Sequence, residues 1–114
     1  MTPPSPADPD EKAAGNARLD ALSEPFVAAG LVVRSQMFGM RSLTRPTGKS
    51  LAGAYGPDLV FRLAEPARAE ALALEGAHMF EPMAGRRMNG WVQVPPSHAA
   101  LDDHFLRAAL EAPA

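Results

Sequence analysis

None of the 114 residues is cysteine. Disulfides, thiol nucleophiles, cysteine-ligated zinc and cysteine-ligated iron–sulfur clusters are therefore excluded together. No apolar run approaches the ~18 residues of a membrane-spanning helix. Net charge is only −2, so overall charge points to neither a nucleic acid nor a membrane surface. The opening residues, Met1-Thr2-Pro3-Pro4-Ser5-Pro6-Ala7-Asp8-Pro9-Asp10, are acidic and proline-rich, with no apolar segment of the kind a secretory signal carries. Together these absences predict a soluble, cytoplasmic protein with no membrane partner. At this length they predict one domain with a core large enough to need no staple.

Charge is unevenly spread. Residues 1–24 carry Asp8, Asp10, Glu11, Asp20 and Glu24 against Lys12 and Arg18, whereas residues 25–57 carry Arg34, Arg41, Arg45 and Lys49 and no acid. Residues 58–81 turn acidic again, and Arg86-Arg87 follow. Arg41, Arg45, Lys49, Arg86 and Arg87 could form a modest basic face. With few aromatics beside it for stacking, such a face predicts at most weak, salt-sensitive DNA binding.

Prolines at 3, 4, 6 and 9 precede any apolar period, which predicts a disordered tail over residues 1–8 and a single domain over 9–112. Asp8 suits a helix cap, Pro9 the first helical position and Glu11 the positive helix end. Leu19, Leu22 and Phe26 form one apolar face, Pro25 predicts a kink or a break near Ser23, and Gly30 ends the helix. Residues 31–39 read as a strand, and 40–50 as a second short strand with a turn at Pro46-Thr47-Gly48-Lys49. Residues 51–56 form a strand of small residues and 59–63 one with Leu59, Phe61 and Leu63 inward. Pro66 opens a helix through Leu72 to Gly76. Strands over 79–83 and 88–94 then flank a turn at Ala84-Gly85-Arg86-Arg87, preferred to the Asn89-Gly90 signal because the latter leaves two arginines mid-strand. Ser97 caps a last helix carrying Leu101, Phe105 and Ala109.

The order α-β-β-β-α-β-β-α, with one extra short strand allowed near 41–45, predicts an α+β two-layer sandwich. Its antiparallel sheet has about five strands, with helices packed on one side. Phe26, Phe61, Leu63, Leu72 and Phe105 are the expected core.

Catalytic signals are weak. Gly48-Lys49-Ser50 resembles the end of a phosphate loop, but position 43, where the motif needs glycine, is leucine, and no helix-forming segment follows. A hairpin turn is the better reading. His98 and His104 fall on different faces of the last helix and cannot share a metal there. Asp102 and Asp103 point apart, and no serine sits in a nucleophile elbow. The sequence therefore offers no catalytic residue, no cofactor-binding residue and no metal ligand. An enzyme of unknown reaction is the residual reading. Met37, Met40, Met79, Met83 and Met88 read as core filling, or as an adaptable surface beside Trp91.

Several short pieces, in order, resemble the N-terminal domain of the TfoX/Sxy competence-regulator family. They are Met37-Phe38-Gly39, Gly48-Lys49 with Ala52-Gly53, Asp58-Leu59-Val60-Phe61-Arg62-Leu63, Phe80-Glu81-Pro82, Gly85-Arg86 with Met88, and Trp91-Val92-Gln93-Val94-Pro95. The resemblance covers residues 33–95. It implies a small α+β sandwich similar to YjbR-like and secretion-chaperone-like proteins, in a bacterial setting. It also implies a stand-alone regulatory or adaptor domain that is non-enzymatic and binds another protein, as a monomer or a homodimer. Lys49, Arg86 and Trp91 are the candidate interaction surface, two cations over an aromatic anchor for an acidic segment.

Overall fold

The computed structural model describes residues 9–37, 39–82, 85 and 88–112. The expected tail, Asp8, Arg86 and Arg87 lie outside them. The architecture is α+β, one antiparallel sheet of six strands in the order β1-β2-β3-β4-β6-β5. The strands are β1 (Val33–Met37), β2 (Met40–Thr44), β3 (Ser50–Tyr55), β4 (Asp58–Arg62), β5 (His78–Met79) and β6 (Trp91–Val94). The sixth strand, beyond the five expected, is the short one near 41–45. Helices α1 (Pro9–Ala28), α2 (Ala67–Leu72) and α3 (Asp102–Glu111) lie on the face formed by Leu43, Ala52, Leu59, Phe61, Val92 and Val94, burying the main core with Leu19, Phe26, Phe105 and Leu106.

Of the two expectations at Pro25 in the long helix α1, a kink or a break, the break does not occur. Pro25 removes one backbone donor, yet the helix runs on to Ala28, because Leu19 before it and Phe26 after it are both anchored in the core. Buried Ser23 donates its hydroxyl to the Asp20 carbonyl rather than marking a break. The exit is a Schellman motif. Leu31 N–H bonds the Phe26 carbonyl and Gly30 N–H that of Val27, with Gly30 at φ 74°.

Other boundaries shift for local reasons. α2 is only six residues long, and Ala71 with Leu74 faces the core while Leu72 is 37% exposed. One residue is a 100° rotation, enough to turn the expected core leucine outward. Ser97 does not cap α3. Pro96–Leu101 forms a 3₁₀ turn, and the α-helix starts at Asp102. The Asn89-Gly90 signal is a turn after all, with Trp91 N–H on the Met88 carbonyl and Gly90 at φ 85°. It immediately precedes β6, so residues 88–90 do not join the strand, and residues 80–90 form a long connection in which Met88 N–H bonds the Phe80 carbonyl.

That connection closes the sheet's second face. Met40, Val60, Phe80 and Trp91 form a separate buried cluster there, with Met37, Tyr55 and Met88 packed around it. Phe80 sets its ring edge-on to Tyr55 at 5.0 Å. The β3–β4 hairpin turns on Gly56 (φ 59°) and Pro57; only a type II′ turn accepts a positive φ followed by proline's fixed negative one.

Candidate functional site

The strand β1 stands apart from the rest of the sheet. Its residues Val33, Arg34, Ser35 and Gln36 are exposed, and its last, Met37, is half-buried. Among the described residues it pairs with β2 alone, and its outer edge has no strand neighbour. The register fixes which backbone groups face outward. Met37 and Met40 close a two-residue connection, and such a closing pair exchanges both backbone hydrogen bonds. Counting back by alternation, Ser35 and Val33 bond to β2, while Arg34 and Gln36 direct N–H and C=O to the free edge.

Beside this edge an open groove of about 580 Å³ runs between α1 and the β1–β2 hairpin. Asp20, Arg34, Gln36 and Arg41 supply its polar lining, and buried Leu19 and Leu43 its apolar base. Asp20 and Arg41 pair across it at 2.6 Å while both remain half exposed. The groove thus combines both charge signs, an apolar base and an adjacent row of unpaired backbone groups. That chemistry suits an extended polypeptide. Sequence reasoning took residues 31–39 as an ordinary sheet strand. The missed signal was Arg34-Ser35-Gln36, three consecutive polar residues that leave a strand without a buried face.

Of the surface expected from Lys49, Arg86 and Trp91, the aromatic anchor is missing. Trp91 is only 6% exposed, held in the second-face cluster, and cannot serve as an anchor for a partner. Burial wins because Met40, Val60 and Phe80 pack with Trp91, and Met88 packs against that cluster. Arg86 lies outside the described residues. Lys49 is exposed on the β2–β3 turn, where Gly48 N–H bonds the Arg45 carbonyl and Arg45 N–H that of Lys49. Ser50 then opens a strand and not a helix, so this is a hairpin turn, as the sequence indicated. The basic face is also dispersed. Arg41 is paired with Asp20, and Arg45 donates to the Ala109 and Ala112 carbonyls at the end of α3. Of the methionines, Met40 is buried in the second-face cluster with Met37 and Met88 half-buried beside it, Met79 packs on the main core, and Met83 lies outside the described residues.

The remaining polar groups hold elements together. Arg18 donates to both carboxylate oxygens of Asp102, at 2.7 and 2.6 Å, and to the Pro57 and Val94 carbonyls. Both side chains of this pair are about nine-tenths buried, so one guanidinium ties α1 to the β3–β4 turn, the end of β6 and the start of α3. The carboxylate also sits where the helix dipole favours it. Gln93 donates to Asp58 at 2.6 Å. His104 pairs with Glu70 between α3 and α2, and His98 meets the Glu75 carbonyl at 2.8 Å. Arg107 bonds Asp103 and lies 5.1 Å from the Phe26 ring centroid. Among the described residues, no three His, Asp or Glu side chains gather as a metal site would require, and no helix is long and apolar enough to cross a membrane. No family model, no curated protein and no solved structure matches the chain.

Proposed function

We propose that this chain is a small non-enzymatic protein-binding domain, a TfoX N-terminal-like regulatory or adaptor module of the bacterial cytoplasm. Its docking element is β1 together with the groove beside it. The observation that carries the reading is the exposed β1 edge, where Arg34 and Gln36 turn unpaired backbone groups outward beside a groove lined by Asp20 and Arg41. Strand addition at such an edge gains main-chain hydrogen bonds, and the flanking groove supplies selectivity. The family assignment rests on the ordered motifs between residues 33 and 95. The non-enzymatic part is supported by the structural employment of His98, His104, Asp20, Glu70, Asp102 and Asp103, each tied to a partner on a neighbouring turn or element.

The test is affinity capture from native lysate with the full chain and with Gln36→Pro, which removes one outward donor without touching a β1–β2 bond. Partners captured by the wild type should be lost by the variant. An identical set of partners on both proteins would refute β1 as the docking element.

A further inference from the structure

The two edges of the sheet are unlike. At one end β5 is two residues long, with Pro82 soon after it, and offers little for another strand to extend. At the other end β1 offers five residues. It has no proline, no lysine and no bulge in its pairing with β2, and Arg34 is its single charged residue. Val33 at one end of β1 is 47% exposed.

We infer that β1 pairs antiparallel with β1 of a second copy of this chain, about a two-fold axis at Ser35. The inference rests on the reading of β1 as the docking element and names its occupant. The argument is the self-complementarity of the strand. With Ser35 opposite its own copy, Arg34 faces the second copy's Gln36 and Val33 faces its Met37. The outward backbone groups of Arg34 and Gln36 meet as a hydrogen-bonded pair, twice by symmetry. The neighbouring register centred on Arg34 would set two guanidinium groups directly opposite each other, which disfavours it. Centred on Ser35, each charged residue meets an amide and each apolar residue an apolar one.

The helices permit this. α1 packs mainly on β2, β3 and β4, and Val33 to Gln36 of β1 remain exposed beside it. In the paired sheet the two β2 strands stand three strand spacings apart, about 14 Å. Two packed helices need only about 8–10 Å, so the two α1 helices clear one another. The grooves of the two copies then meet over β1, and Val33 gains an apolar neighbour on the opposite face. The product is one continuous twelve-stranded sheet.

The experiment is sedimentation equilibrium of the full chain across a wide concentration range, with three variants. The wild type should self-associate to a mass of twice 12.1 kDa. Gln36→Pro should be monomeric with an unchanged melting temperature. Gln36→Glu places a carboxylate opposite the second copy's Arg34, and opposite Arg41 within its own chain. It should tighten the dimer by roughly 2- to 30-fold through two symmetric pairs. Arg34→Glu combined with Gln36→Glu sets like charges opposite each other and should weaken the dimer below wild type. A wild type that stays monomeric throughout, or a dimer indifferent to all three variants, overturns the inference. If the monomeric wild type still captures a partner that Gln36→Pro loses, self-pairing fails while the protein-binding reading stands. If Gln36→Pro loses nothing, both fail.

Discussion

Gly15 lies where α1 crosses the β3–β4 turn, and a Cβ placed on it would stand 1.9 Å from the Gly56 carbonyl oxygen. Glycine ordinarily weakens a helix interior by about 1 kcal/mol relative to alanine. Here the close approach outweighs that cost, because α1 could accept a methyl group only by lifting from the sheet. Gly15→Ala should therefore destabilise the protein by ~2–4 kcal/mol, despite its better helix propensity. Urea denaturation would show the loss as a lower midpoint with an unchanged slope, and a midpoint at or above wild type would mean the helix has room to move. The same scale separates what single residues revealed in advance. Phe26, Phe61, Leu63 and Phe105 are buried as their periodicity required. Trp91 was misplaced because the alternation that puts it opposite Phe61's face says nothing about what covers that second face. The cover, Phe80 and Met88, arrives from a connection with no period of its own.

Elements were legible in proportion to their length. α1 has twenty residues and showed its apolar face and its glycine stop. α2 has six, too few for three- and four-residue spacings to discriminate Ala71 from Leu72. β5 and β6 were overextended: Phe80, Glu81 and Pro82 lie beyond β5, and Met88 to Gly90 precede β6. β1 was found as a strand, but its exposure on both sides follows from the reach of α1, which packs mainly on β2 through β4. The persistence of α1 through Pro25 makes a prediction of its own. Pro25 is exposed, so Pro25→Ala changes little packing and restores a backbone donor four residues after Ala21. It should stabilise the protein by ~1–2 kcal/mol, the helical gain being partly offset by a freer unfolded chain. Thermal unfolding should show a rise of several degrees. A fall would mean that the curvature imposed by proline is what seats Phe26.

At the scale of the whole molecule, Arg18 and Asp102 join parts of the chain 84 residues apart. Breaking a buried pair from one side leaves an uncompensated charge, so Asp102→Ala should cost ~3–5 kcal/mol, a large share of the stability of a domain this size. Replacing both partners together with apolar residues should cost less than either single change. Chemical denaturation of the two singles and the double would show this as a positive coupling, and strict additivity would mean that Arg18 is held by the Pro57 and Val94 carbonyls alone.

The same clasp bears on how the protein is made. During synthesis α1 leaves the ribosome long before α3, and until Asp102 follows, Arg18 has no carboxylate to receive it. With Phe105 and Leu106 also missing from the core, a nascent chain that ends ahead of α3 must leave its sheet face and its guanidinium in water. The domain therefore folds only once α3 is made, and a polypeptide that stops short of Asp102 meets the cell's proteases as an open chain.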